Sequence, residues 1–423
     1  MLELSSFSIL LAAAAVLSPL PCTVVAQAPQ EPQPAPSGET APPMRAADLE
    51  AEMGGNPEPV PTDKYLLEQL LARTPVGKVL DDAGIRIYGW TQGSYTASSA
   101  DQTNGATVFN DRADEAVLGQ NWTEIVRPID PSRDELQFGA RVAMILPGYD
   151  YKYTLARGMW NDQSRRHGFD TVYAYGELFV PGVGPSGTTF RVGRWGTTIG
   201  YEMIEAVATP FVTRSYNFTA NPYTHTGVQA TTELSPQVVM YHGAVTGADV
   251  FLDPAATFGY VGGIKWTAED GSRSVAANVF VTGEGYDAAE SFQHYDSYNV
   301  LLTQTLAEGW DYTLDATLGR TPDTDPTGIA GGGAATWYGF ANYLTHPFAE
   351  HLTVNVRGEY FHDDKGLRTG TAGDYVDVAV GLQYEPTRWL WVRPFVRYDH
   401  CDQPAFENHR DLWTGGIELI GRW

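Results

Sequence analysis

The stretch that decides the fold is YVDVAVGLQY, residues 375–384. Val376, Val378, Val380, Leu382 and Tyr384 share one face, and Tyr375, Asp377, Ala379, Gly381 and Gln383 share the other. A period of two puts successive side chains on opposite sides of a strand. A wholly apolar row backed by a row of small and polar groups is a strand that separates lipid from an aqueous lumen.

The pattern recurs outward from that stretch, about ten residues at a time. Leu352, Val354, Val356 and Tyr360 alternate with Thr353, Asn355, Arg357 and Glu359. Trp310, Tyr312, Leu314 and Leu318 alternate with Asp311, Thr313, Asp315 and Thr317. Leu136, Phe138, Val142 and Met144 alternate with Gln137, Gly139, Arg141 and Ala143. Strands are expected at 84–96, 135–146, 149–160, 170–180, 188–198, 225–234, 238–247, 257–268, 272–283, 293–306, 310–320, 335–346, 351–362, 374–385, 389–399 and 412–423. The expectation is an all-β fold, a transmembrane antiparallel up-and-down β-barrel of about sixteen strands (roughly 14–18) behind a disordered N-terminal extension. Pro394 cannot donate to a ladder, so a bulge is expected there.

A soluble β-sandwich also alternates, but three features favour the barrel. Short turns such as Pro147-Gly148, Ser235-Pro236 and Pro386-Thr387-Arg388 alternate with longer connections near 98–134, 161–169, 199–224, 248–256, 284–292, 321–335, 363–373 and 400–411. Short turns on one side and long loops on the other is the outer-membrane arrangement. Aromatic residues crowd the short-turn ends: Tyr149, Tyr151, Trp266, Trp310, Tyr312, Tyr384, Trp389 and Trp391, as in an interfacial girdle. Finally, Trp413, Gly415, Ile417, Leu419, Gly421 and Trp423 share a face of a last strand. A barrel closes such a strand onto its first, which places both ends on the periplasmic side.

Composition bounds the function. The 423 residues carry 51 acidic and 27 basic side chains, for a net charge of −24. A nucleic-acid partner needs a basic face and is not expected. The acid excess favours weak cation selectivity. Residues 1–26 read as a cleavable signal peptide, with an apolar run from Phe7 to Leu20 and small residues at Val24-Val25-Ala26, although Glu3 replaces the usual positive start. Residues 27–62 form a Pro-rich linker that cannot bury enough surface to order itself. A short amphipathic helix with Asp63 as N-cap is expected within 63–83, followed by the barrel at 84–423. Loss of Cys22 with the signal would leave Cys401 alone.

Several segments then point to a family. They are Tyr88-Gly89-Trp90, Tyr149-Asp150-Tyr151, the block Arg191-Val192-Gly193-Arg194-Trp195-Gly196-Thr197-Thr198-Ile199-Gly200-Tyr201-Glu202, Pro222 to Val228, Trp266 to Ser272 and the Trp423 ending. Residues 84–423 resemble the bacterial β-barrel porin family described as OmpL-like. The resemblance implies a channel-forming outer-membrane protein with no assigned catalytic residues.

Strand parity sends Arg86, Arg141, Arg191, Arg357, Arg393 and Arg397 inward, together with Glu177, Glu233, Asp315, Glu359, Asp377 and Glu418. The connection 199–224 mixes charge (Glu202, Glu205, Arg214) with bulk and is expected to fold into the lumen. Its acids would then oppose arginines of the wall across the pore. The expected function is passive diffusion of small hydrophilic solutes or ions; the alternative is a structural or adhesion barrel without significant conductance. No Ser-His-Asp set can be assigned, so no enzyme is expected, and neither cofactor nor metal. His362-Asp363-Asp364 and Asp399-His400-Cys401-Asp402 read as solvated loop ends. Expected partners are outer-membrane lipid, the barrel-assembly machinery and small solutes or ions, with a homotrimer left open.

Overall fold

In a computed structural model of the chain, the described residues are 64–130, 134–252, 258–282, 295–306, 309–324 and 333–423. The signal peptide, the Pro-rich linker and Asp63 lie outside them.

Sixteen strands among the described residues close into one antiparallel barrel in sequence order. They are β1 Arg86–Ser98, β2 Glu115–Arg127, β3 Gln137–Gly148, β4 Gly168–Val180, β5 Thr188–Gly196, β6 Thr224–Ser235, β7 Val238–Val245 and β8 Gly259–Thr267. The second half is β9 Arg273–Thr282, β10 Asp296–Thr305, β11 Asp311–Thr324, β12 Gly333–Ala349, β13 Leu352–Asp363, β14 Gly373–Thr387, β15 Leu390–Cys401 and β16 Asp411–Arg422. Closure runs through β1 and β16, from Trp90 opposite Arg422 to Ser98 opposite Thr414. Gly89 and Trp423 exchange both backbone hydrogen bonds at 2.8 Å. Closure removes the free edge that an open sheet would present.

The expected count of sixteen conceals two compensating errors. Residues 149–160 are not a strand. They belong to the second long connection, which contains the short helix α3 Tyr151–Thr154. Tyr149 and Tyr151 are buried there, at the long-loop rim, and not in a girdle at a short turn. Conversely, β2 lies inside the segment expected as one long loop. Its outward row contains Asn121 and Thr123 and its inward row Gln120 and Glu124, so neither face is apolar and alternation is silent. One consequence is that β3 runs opposite to the direction expected of 135–146, and Pro147-Gly148 sits at the long-loop rim. From β4 onward strands and loops fall where expected. Pro394 is a further correction. It faces outward opposite Ile417 with no register shift, and the ladder toward β14 skips from Gly381↔Phe395 to Tyr384↔Val392. The lost donor is absorbed by two missing pairs rather than by a bulge.

Outward residues form an exposed apolar band that includes Ile125, Val192, Val228, Ile264, Val380, Val396 and Leu419. Trp266 and Tyr384 border it near the short turns, and Tyr95, Tyr260, Tyr360 and Trp413 near the long loops. The second row of rings completes a pair of interfacial girdles.

The lumen is not uniform. Inward Tyr88, Trp90, Trp122, Tyr173, Trp391 and Ile420 make an aromatic core against β1, β2, β4, β15 and β16. Trp90 and Trp122 stack at 5.2 Å between ring centroids. At the short-turn mouth this core is covered by α1 Leu66–Leu71, which α2 Pro75–Ala83 follows. The N-cap of α1 is Tyr65, whose backbone N–H donates to Glu68 at 2.8 Å. The Tyr65 ring packs edge-on to Tyr88 at 5.0 Å, its hydroxyl accepts from Arg422, and Glu68 pairs with Arg86 at 2.6 Å. The helix therefore clasps the first and last strands together.

Candidate channel constriction

The third long connection, residues 197–223, crosses the lumen, and its course follows from local chemistry. Gly200 adopts a left-handed φ of 93°, which only glycine takes at little cost, and turns the chain inward. Ser215 then caps α4 Tyr216–Ala220, its Oγ accepting from the Phe218 N–H at 3.0 Å. Two inward glycines leave the loop room. A Cβ on Gly339 would lie 2.1 Å from Asn217 Oδ1, and one on Gly381 2.9 Å from the Phe211 ring.

The wall fastens the loop at successive points. Asp315 of β11 accepts from the Tyr201 N–H at 2.9 Å. Glu359 of β13 accepts from the Tyr216 and Asn217 N–H groups, each at 2.7 Å, where α4 exposes its first donors. Asp399 of β15 accepts from the Tyr216 hydroxyl at 2.7 Å. Three wall arginines supply donors for loop carbonyls. Arg357 reaches Thr213 O at 2.9 Å, and Arg397 reaches Arg214 O at 2.6 Å and Thr213 Oγ1 at 2.6 Å. Arg393 spans Thr209 O and Ala206 O at 2.5 and 2.7 Å. Beyond the closure, Gln120 of β2 donates to Ile204 O at 2.8 Å and accepts from the Ala206 N–H at 3.0 Å.

Every arginine expected to face inward does so, and each has a carboxylate partner. Arg357 pairs with Asp377 at 2.6 Å and Glu202 at 2.8 Å, and Arg397 with Asp399 and, at 3.0 Å, Asp377. Arg393 pairs with Glu418, Arg141 with Glu124, Arg191 with Glu177 and Arg86 with Glu68. The expectation of loop acids facing wall arginines across an open gap is replaced by direct pairing, because Glu202 touches Arg357. Glu202 also accepts from the Ser215 N–H at 2.7 Å. Arg214 is turned back onto its own loop, donating to Phe211 O and Ile204 O, with its guanidinium 5.2 Å from Phe109 and 5.4 Å from Phe218.

Glu205 stands apart. It is buried, accepts from the Tyr173 hydroxyl at 3.1 Å and lies 3.9 Å from Arg141. Burial pushes its carboxyl up to about 7. Asp150, in the second loop beside Gln120, is likewise pushed up to about 7 by burial.

At the level of the loop Arg141, Arg191, Glu202, Glu205, Arg214, Arg357, Glu359, Arg393 and Arg397 are all buried, while Arg86 at the short-turn mouth is half-buried. These groups are engaged with one another and with the loop rather than lining an open passage. Half-buried Glu177, Glu233 and Gln383 mark a wetter stretch toward the short turns. On the other side of the loop, a cavity of about 510 Å3 opens among the long loops. Sequence reasoning missed Gln120 and Glu124 with the strand that carries them, and read Asp399 as part of a loop end. The alternation of Arg397 and Asp399 with Tyr398 held the signal for the last.

A closed sixteen-stranded barrel crossed by its third loop can now be set beside known proteins. The family model described as "Putative beta-barrel porin-2, OmpL-like" matches residues 84–419. The chain belongs to this porin family. It is an outer-membrane barrel, and its family and structural neighbours are channels and porins. The outer membrane channel DcaP of Acinetobacter baumannii has a similar fold, with 12% identity, a TM-score of 0.53, and coverage of 80% of this chain and 97% of DcaP. Pseudomonas putida OprB gives 10% identity and a TM-score of 0.55 over 82% of this chain and 96% of its own. OmpT of Vibrio cholerae in a trimer form gives 12% and 0.51 over 80% and 99%. No curated protein matches this porin in sequence.

Proposed function

We propose that this porin carries small hydrophilic solutes or ions by passive diffusion, with residues 197–223 as its constriction. The observation that carries the reading is the row of loop carbonyls from Ala206 to Arg214 held by Arg357, Arg393 and Arg397. In this reading the ten residues Arg86, Arg141, Arg191, Glu202, Glu205, Arg214, Arg357, Glu359, Arg393 and Arg397 set the bore by fixing the loop and balancing its charge. The short turns and both ends of the barrel then face the periplasm, as the loop asymmetry of outer-membrane barrels requires. Residues 1–26 direct secretion and 27–62 form a periplasmic arm. A homotrimer, as in the trimer form of OmpT, fits the same architecture.

Purified protein in planar bilayers is expected to give stepwise currents. One observation favours a second reading: the inward groups at the loop are buried, as in a barrel that is filled and does not conduct. Absence of stepwise currents from correctly folded protein would replace the first reading with that one.

A further inference from the structure

Ala206 in the third long connection is held from both sides of its backbone. Its N–H donates to Gln120 Oε1 at 3.0 Å, and its carbonyl accepts from Arg393 at 2.7 Å. The two holders are themselves joined across the barrel closure. The Gln120 backbone N–H donates to Gln92 at 3.1 Å, Gln92 donates to Glu418 at 2.8 Å, and Glu418 accepts from Arg393 at 2.7 Å. The result is a closed hydrogen-bond ring, drawn from β1, β2, β15 and β16, around one loop residue.

Gln120 also reaches a second loop. A side-chain amide has two donors and two acceptor positions, and here all four are used. Nε2 donates to Ile204 O at 2.8 Å and to Asp150 Oδ2 at 2.9 Å, while Oε1 accepts from the Ala206 N–H and, at 2.9 Å, from Trp90 Nε1. Asp150 belongs to the second long connection, residues 149–167. A carboxylate in place of Gln120 would supply no donor and a hydroxyl only one, so the four partners require an amide. Gln120 and Asp150 are both buried, where bonds of one network reinforce one another. A second bridge between the same loops is apolar and runs through Phe109 of the first long connection. Phe109 stacks on Tyr153 at 4.9 Å and meets Phe218 edge-on at 5.5 Å. Ring contacts tolerate a shift of the chain better than directed hydrogen bonds do.

We infer that Gln120 is a positioning residue that couples the second long connection to the third, so that residues 149–167 and 197–223 are held or released as one unit. A displacement of the second loop then reaches the backbone at 204–206 through a single side chain. What this does to a channel rests on the reading of residues 197–223 as its constriction. The coupling itself is measured without current, so the two can fail separately.

The test is hydrogen–deuterium exchange of the full chain in detergent, read by mass spectrometry, with β8 and β9 as internal standard. Amide exchange reports local opening. Asp150→Ala alters no residue of the third loop, yet it should speed exchange at 203–208 about fivefold, within the range of couplings inside one hydrogen-bond network. Asp150→Asn keeps an acceptor for the Gln120 amide and should stay within about twofold of the wild type. Gln120→Met should speed exchange about tenfold or more at 203–208 and 149–154 together, and adding Asp150→Ala to it should change 203–208 no further. Heat-dependent electrophoretic mobility reports whether each barrel is folded. If Gln120→Met fails to fold, the two Asp150 variants still decide. Unchanged exchange at 203–208 in Asp150→Ala, or an equal increase in Asp150→Asn, would overturn the proposal. So would the same Asp150→Ala increase persisting beside folded Gln120→Met, which would assign the coupling to Phe109. Coupled exchange without stepwise currents would leave the coupling standing and remove the channel reading. Currents without coupled exchange would do the reverse.

Discussion

Two stretches of the lumen wall use hydrogen bonds for different ends. The wall β13–β16 carries Arg357, Arg393 and Arg397 with Glu359, Asp377, Asp399 and Glu418, and turns these charges on the third loop. The wall β7–β10 carries mostly neutral groups that answer one another. Tyr241 donates to Asn278 at 2.8 Å, Asn278 to Asn299 at 3.0 Å, and Ser274 and Thr303 share a bond at 2.7 Å. Pairs of the second kind hold strands side by side. Pairs of the first kind hold an irregular backbone segment at membrane depth, where each unmatched carbonyl would be expensive. The charged wall therefore holds the middle of the loop, while the neutral wall chiefly holds the barrel and meets the loop only near its ends, through Tyr241 with Thr198 and Ser297 with Asn221.

That contrast predicts an order of effects. Replacing Arg357 and Arg397 together by Gln leaves Asp377 and Asp399 buried without their cations and frees two loop carbonyls. Breaking a buried pair from one side costs about 3–5 kcal/mol. The loop should come away from the wall while the barrel survives, read as a conductance increase and as protease cleavage within 203–215. Unfolding of the barrel itself would instead assign these arginines to the strands. Next, Gly339→Leu inserts a side chain where Asn217 sits. Overpacking of this kind costs about 1–3 kcal/mol, and it should reproduce part of the same release.

The pH dependence is smaller, and its sign is fixed. Glu205 in the folded loop holds its proton up to about 7, above its ordinary value, so the folded state binds the proton more tightly than the released loop does. The docked loop is thus fully stable below the ordinary carboxylate range. It loses stability progressively as pH rises from that range through about 7. Current fluctuations should grow between pH 5 and 8, and Glu205→Gln should flatten that profile; an unchanged profile would remove Glu205 from the docking equilibrium. Asp150, shifted in the same direction, leaves a residual slope. Tyr241→Phe on the neutral wall is expected to have the smallest effect. It removes two neutral bonds, one to Asn278 and one from Thr198 at the start of the loop, each worth about 1 kcal/mol, and should leave conductance nearly unchanged. A conductance change as large as that of the arginine variants would erase the distinction between the walls.

How far the sequence carries depends on whether a residue's surroundings are reported by its own strand. The alternation in 375–384 reveals both the lipid face and the inward side of Asp377, because both rows are pure. The same parity places Arg141, Arg191, Arg357, Arg393 and Arg397 correctly. It fails for β2, where Asn121 and Thr123 face outward and Gln120 and Glu124 inward. It also fails for Tyr149, Tyr151 and Tyr153, whose spacing imitates a strand although they lie in a loop, Tyr153 stacking on Phe109 and Tyr149 meeting Tyr153 edge-on. Pairing across the lumen is less accessible still. That Glu202 meets Arg357, 155 positions away, depends on where a loop lies inside a closed barrel, and no local pattern encodes it. The charge and bulk of residues 199–224 indicate that this loop is unusual; only the geometry shows that its carbonyls are what the arginines hold.

The central claim is that residues 197–223 are fastened across the lumen by the β13–β16 wall and set the bore. Deleting residues 203–215 and recording single-channel conductance tests it most directly. The account predicts a folded barrel that closes as before and conducts at a clearly higher level than the intact chain. A folded deletion variant with unchanged conductance would contradict it.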